Sequence, residues 1–313
     1  RTRPNGNLSE RQGMNLNRIF LSADETRLRA GWRLLIQTSG LFFVFACLGI
    51  PLFLVYFFFD PASAFSNELT PELLLLSSVA ETFAFTLSIF LARRFLDKRS
   101  IESLGLKVNS QALVDVLTGI GITFVQMGFI YAVMRALGWV TFKGFAWEVD
   151  SLSSVVTSAL TFLVIFLLVG WNEELLLRGY HLQTIASGLN LFWGAVISSV
   201  VFGLLHLGNP DATWVSAAGI TLAGLFFAYA YVRTKQLWLP IGLHIGWNFF
   251  EGVVFGFPVS GLDIYALTRI EVTGPDLWTG GAFGPEAGLI VLPALLLGAG
   301  LIYWFTRNRI TAG

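Results

Sequence analysis

Eight stretches of the chain, near residues 34–58, 73–95, 111–134, 152–171, 190–207, 213–232, 237–257 and 286–306, are almost unbroken in apolar residues and are separated by short polar segments. A bilayer core about 30 Å thick is crossed by roughly 20 mostly apolar residues in a helix, so each stretch predicts a transmembrane helix. The fourth, SLSSVVTSALTFLVIFLLVG, and the eighth, AGLIVLPALLLGAGLIYWF, are the cleanest, whereas the seventh, LWLPIGLHIGWNFFEGVVFGF, carries His244, Asn248 and Glu251. Polar groups inside a span are costly and therefore its most informative letters. The pattern predicts an all-α polytopic membrane bundle of about eight helices. A single transmembrane domain over 33–313, with its chemistry concentrated at about 150–258, follows an Arg-rich cytosolic segment over 1–32. That segment has no signal-peptide core and is expected to be retained. Residues 259–285, punctuated by Gly261, Gly274, Pro275, Gly280, Gly281, Gly284 and Pro285, read as a loose outer loop without chemistry.

The placement of positive charge gives this topology an orientation. With the N-terminus inside, 17 of the 20 Lys and Arg residues fall on the cytosolic side, and only Arg135, Lys143 and Arg269 fall outside. Cytosolic loops near spans carry the excess of positive charge, so both termini are expected in the cytosol of a multi-pass protein; the compactness of the chain points to a bacterial plasma membrane as its setting. Composition narrows the function classes further. Of the 313 residues 55% are hydrophobic and 13% charged, and the formal net charge is zero. That excludes an ordinary soluble enzyme and leaves no basic surplus for a nucleic-acid partner. The single cysteine, Cys47, reads as a small core residue and implies no disulfide framework.

Three short motifs place unusual polarity in or beside the spans: Asn172-Glu173-Glu174-Leu-Leu-Leu-Arg178, Phe202-Gly-Leu-Leu-His206 and His244-Ile-Gly-Trp-Asn248. Positions four apart share a helix face, so Glu174 can pair with Arg178, Phe202 can support His206, and His244 and Asn248 point into one space. Glu173 lies about 100° round the helix from Glu174, which leaves one carboxylate free while the other is held by the guanidinium. If the fourth helix turns at Gly188-Leu189-Asn190, Glu173 and His206 both lie about 25 Å up an antiparallel hairpin, level with each other. His244 and Asn248 rise roughly 14 and 20 Å from the next inner turn, so all four can line one cavity.

A carboxylate among apolar walls suits a general base, an imidazole beside it can orient a water, and a second imidazole with an amide can donate to an oxyanion. The same side chains allow a rival chemistry: Glu173, His206 and His244 form the two-His, one-carboxylate set of a hydrolytic zinc, although H-E-x-x-H is absent. Glu81 and Asp115, in the second and third spans, are expected to face the bundle interior or a helix end. His181 and Glu251 extend the polar stripes without being needed by the chemistry.

The set E-E-x-x-x-R, F-x-x-x-H and H-x-x-x-N, in that order on successive helices over roughly 150–255, resembles the CAAX prenyl endopeptidase and bacteriocin-processing family of intramembrane glutamate proteases. The resemblance implies Glu173 as base, His206 as its partner in activating water, and His244 with Asn248 as the oxyanion site. Glu174 and Arg178 match the remaining motif positions and are assigned a structural ion pair. It also implies a metal-free peptide hydrolase acting on a peptide or protein at the membrane, with the lipid bilayer as its other partner. Two classes compete with an enzyme. A catalytically silent scaffold or bacteriocin-immunity-type protein gains little from a complete acid, imidazole and amide set in lipid, and a proton-coupled transporter is disfavoured by the absence of an inverted repeat.

Overall fold

The structure is a computed structural model that describes residues 20–22, 27–59 and 70–309; most of the 1–32 segment lies outside the described residues. Its α-helices of seven or more described residues are α1 (Ala30–Phe59), α2 (Pro71–Leu91), α3 (Ser110–Ala136), α4 (Leu152–Glu174), α5 (Leu182–Gly188), α6 (Leu191–Leu205), α7 (Trp214–Thr234), α8 (Trp238–Asn248) and α9 (Val291–Thr306). Among the described residues, six of the eight expected spans are helical runs long and apolar enough to cross a membrane, α8 and α9 being shorter; α4 and α5 act as one 37-residue run, Leu152–Gly188. The chain is an all-α integral membrane protein. The last expected span starts later than its apolar run, at Val291, because Pro285–Ala287 form a tight 3₁₀ turn.

Local sequence explains where the helices begin. Thr70, Asn109, Ser151, Asn190 and Thr213 each accept a hydrogen bond from the backbone N–H three residues on, capping α2, α3, α4, α6 and α7. The cap at Asn190 and the end of α5 at Gly188 make the hairpin turn where the sequence predicts it. Wide π-helical turns include Leu175–His181 after α4, which carries Arg178 of the first motif, and Phe249–Val254 after α8, which follows directly on the third. Such turns re-aim side chains by adding a residue to one turn of helix.

Helix α8 forms the centre, packed chiefly on α3 and α4, while α6 pairs with α7 and α2 packs on α4. The α3–α8 crossing is close because neither side has a β-carbon there. A Cβ on Gly242 would lie 2.2 Å from the Val116 carbonyl oxygen, and one on Gly119 would lie 2.5 Å from the Leu243 nitrogen. By contrast α1 rests only against the edge of the bundle. Cys47, expected in the core, is exposed on α1, since in a membrane an apolar face need not be covered by protein.

The segment between α8 and α9, expected to be an outer loop, differs most from expectation. Strand β1 (Val140–Phe145) pairs antiparallel with β2 (Thr268–Val272), in register Val140 with Val272, and a bulge separates Phe142 from Gly144. The three cations assigned to the outside all lie at this ribbon and have partners. Lys143 pairs with Glu271 at 2.5 Å, Arg269 with Asp150 at 2.9 Å, and Arg135 reaches the Val140 carbonyl at 3.5 Å. Of the cations expected in the cytosol, Arg33 donates to Asp97, and Arg93 donates to Asp97 at 2.9 Å and to Gln183 at 2.7 Å.

Candidate active site

The three motifs meet at one cavity of about 320 Å³, whose lining includes Glu81, Glu173, His206, His244 and Asn248. Glu173, the penultimate residue of α4, keeps 30% of its side chain exposed, while Glu174 and Arg178 are wholly buried. The separation of the two neighbouring carboxylates therefore follows the helical phase read from the sequence.

Their partners are less separate than the ion-pair reading implies. Oε1 of Glu174 accepts from Nη1 of Arg178 at 2.8 Å and from Nδ1 of His244 at 2.9 Å. Arg178 also donates through Nη2 to the Gly224 carbonyl at 2.9 Å, and its guanidinium lies 4.7 Å from the centre of the Phe202 ring and 5.3 Å from that of Phe227. Phe227 stacks on the His244 ring with centroids 5.0 Å apart and planes 12° apart. Glu174 and Arg178 thus form the seat of His244. Sequence spacing links residues four apart on one helix and could not reveal this contact, which spans 70 positions.

Both imidazoles are oriented through Nδ1. In His206, at the end of α6, Nδ1–H donates to the Phe202 carbonyl at 2.8 Å, which leaves Nε2 for the cavity. In His244, Nδ1–H donates to Glu174 and Nε2 lies 3.5 Å from Oε2 of Glu173. That Glu173 oxygen has no hydrogen-bond partner among the described residues. Imidazoles held in this way also suit a metal. Among the described residues, however, no three His, Cys, Asp or Glu side chains are close enough together to hold an ion, Glu173, His206 and His244 included.

The remaining polar residues fall in two groups. Asp115 accepts from Arg309 at 2.7 Å and Gln111 at 3.0 Å, tying the start of α3 to the end of α9. His181 meets Gln37 at 3.3 Å and lines a second space, an apolar groove of about 750 Å³. This groove is walled by residues such as Phe42, Phe45, Phe85 and Leu205, and it shares Glu81, Glu173 and His206 with the polar cavity. The cavity also has lining residues that the motifs do not announce: Asn209, Trp247, Ser260 and Glu286. One of them, Ser260, comes from the 259–285 loop read as devoid of chemistry, and Glu286 is the first residue of the run read as the eighth span. The signal available was Glu286 itself, an acid at the edge of an apolar run.

Comparison with known proteins agrees with the recognition from the three motifs. Residues 155–250 match the family model of the type II CAAX prenyl endopeptidases, Rce1-like. The chain is 33% identical over 87 residues to YdiL of Bacillus subtilis (strain 168), named provisionally as a membrane peptidase; the match spans 28% of this chain and 34% of YdiL. It is 34% identical over 94 residues to an uncharacterized 24.3 kDa protein of Escherichia coli, over 29% of this chain and 42% of that protein. The matched stretch of this membrane protein contains all three motifs and excludes Glu81 and Glu286.

Proposed function

From an Rce1-like domain whose polar side chains line one cavity, we propose that the protein is an intramembrane endopeptidase using a glutamate-activated water. The observation that carries this reading is the convergence of Glu173, His206, His244 and Asn248, from three helical runs, on a single space. Glu173 takes a proton from a water oriented by Nε2 of His206, and the water oxygen bonds to the carbonyl carbon of the substrate. The developing oxyanion is met by His244 and Asn248. Because Nδ1–H of His244 is committed to Glu174, donation from Nε2 requires the ring to carry both protons, and the flanking carboxylates supply the compensating charge. The carbon–nitrogen bond then breaks and Glu173 returns its proton to the departing amine, leaving a carboxylic acid and an amine.

The substrate is a membrane-associated peptide or protein. The apolar groove running up to Glu173 and His206 supports a substrate whose cleaved end carries an apolar chain. The topology, with both termini in the cytosol and a bacterial plasma membrane as the setting, is part of the same proposal.

The test uses purified protein in detergent and a quenched fluorescent peptide ending in a farnesylated cysteine and three further residues, beside its unprenylated counterpart. Cleavage is expected to release a defined C-terminal fragment, to be lost in His206→Ala, and to fall about 10²- to 10³-fold in kcat in Asn248→Ala. It is expected to be insensitive to chelators. Inhibition by a chelator, reversed by zinc with stoichiometric metal bound, would replace the metal-free reading with a zinc hydrolase. Proton-coupled transport without cleavage of either peptide would replace the peptidase reading altogether.

A further inference from the structure

The outer wall of the cavity contains a hydrogen-bonded chain that links the two halves of the site. Asn209, three residues beyond His206, donates through Nδ2 to the Ser260 carbonyl at 2.9 Å. Ser260 donates through its backbone N–H at 2.9 Å and its hydroxyl at 2.6 Å to Oε2 of Glu286. Oε1 of Glu286 accepts from the indole N–H of Trp247 at 2.9 Å. Trp247 sits between His244 and Asn248 on α8, so the chain runs from the turn carrying His206 to the helix carrying the oxyanion pair.

The Glu286–Trp247 end is buried, while Asn209 and Ser260 are half-buried. Glu286 and Trp247 are 4% and 1% exposed. The backbone of Glu286 is seated on α7, where a Cβ on Gly219 would lie 1.9 Å from the Glu286 carbonyl oxygen. A carboxylate accepting three hydrogen bonds in a buried place is worth more than its parts, and each donor is costly to orphan.

Resting on the reading above, we propose that Glu286 is a positioning residue for peptide hydrolysis: through Ser260 and Asn209 on one side and Trp247 on the other, it sets the separation between His206 and the His244–Asn248 pair. Its role is to hold reacting groups in register, since displacement by about 1 Å costs about 100-fold in rate. The outer segment is then part of the catalytic apparatus.

The experiment measures kcat and KM on the farnesylated fluorescent peptide for the full chain and for Glu286→Ala, Glu286→Gln, Trp247→Phe and the double variant Glu286→Ala with Trp247→Phe. Both Glu286→Ala and Trp247→Phe should lose about 10- to 100-fold in kcat with KM changed less than about threefold. The double variant should be little worse than the poorer single, since both break one link. Glu286→Gln, which keeps a carbonyl acceptor for one donor, should fall between wild type and Glu286→Ala.

Trp247→Phe keeps apolar bulk and carries the test if Glu286→Ala does not fold. Hydrogen exchange over residues 206–212 supplies a readout independent of turnover, and it should quicken in Trp247→Phe although the substitution is on another helix. Normal kcat in folded Glu286→Ala, multiplicative losses in the double variant, or unchanged exchange at 206–212 would each overturn the proposal. Glu173→Gln is assayed alongside. Normal cleavage by that variant refutes the underlying reaction, whereas a silent Glu173→Gln beside a normal Glu286→Ala refutes only the positioning role.

Discussion

Removing Arg178 tests whether Glu174 is held as a charge and separates its role from that of Glu173. The guanidinium is wholly buried and bonds Glu174 at 2.8 Å and the Gly224 carbonyl at 2.9 Å, with Phe202 and Phe227 beneath it. Arg178→Ala leaves Glu174 as an uncompensated buried carboxylate, removes the added bond to the Gly224 carbonyl and empties the space over two rings. Breaking one member of a buried pair costs about 3–5 kcal/mol. At about 2 °C per kcal/mol for a chain of this size, the melting temperature in detergent should fall by about 6–10 °C. The double change of Glu174→Gln with Arg178→Gln removes the lone charge and should recover part of that loss. It should not recover turnover, because His244 loses the carboxylate that orients its ring. Differential scanning fluorimetry and peptide cleavage on the same preparations read both effects. A double variant no more stable than Arg178→Ala, or a Glu173→Gln variant less stable than either, would refute the assignment of the two carboxylates.

Three further outcomes follow from the outer segment and the topology. Gly219→Ala forces a Cβ to within 1.9 Å of the Glu286 carbonyl oxygen, so it should destabilise by about 1–3 kcal/mol and lower kcat; unchanged melting and turnover would contradict the docking of this segment on α7. Burial pushes the Glu286 carboxyl above the ordinary carboxylate range, while Ser260, His206 and His244 pull the other way and Glu251 faces it. The folded protein therefore keeps a proton that the unfolded chain releases, and this contribution to stability is lost as pH rises above about 4.3 through the folded value. The melting temperature of Glu286→Gln should accordingly gain on wild type between pH 4 and pH 8, and a constant difference would contradict the shift. In a Cys47→Ser background, cysteine at the exposed Asp276 should react with an impermeant thiol reagent from outside intact cells, and cysteine at the exposed Ser100 should not; the reverse pattern sinks the orientation.

The helices and the four-residue motifs were legible because both depend on local periodicity. Apolar runs locate spans, and Glu174 with Arg178 or His244 with Asn248 need only the pitch of a helix to meet. The hairpin at Gly188–Asn190 was legible too, from a glycine followed by a capping asparagine. Contacts between distant segments were not. The bond from His244 to Glu174 depends on how α8 crosses α4, and that crossing is fixed by close packing instead of by pattern. The 259–285 segment was misread for a related reason: glycines that suggest looseness in a sequence allow tight docking here, Gly261 against Pro210 and Gly284 against Pro258. Cys47 was misplaced by a rule for soluble proteins, in which an apolar run implies a covered face.

The central claim is that the partly exposed Glu173 is the base, and the most direct measurement is turnover of the farnesylated fluorescent peptide by purified Glu173→Gln beside wild type, with both melts recorded. The account predicts a melting temperature close to that of wild type, because His244 keeps its closer partner Glu174 at 2.9 Å and loses only the 3.5 Å contact to the partly exposed Glu173, and no detectable cleavage. Cleavage near the wild-type rate by a folded Glu173→Gln protein would contradict it.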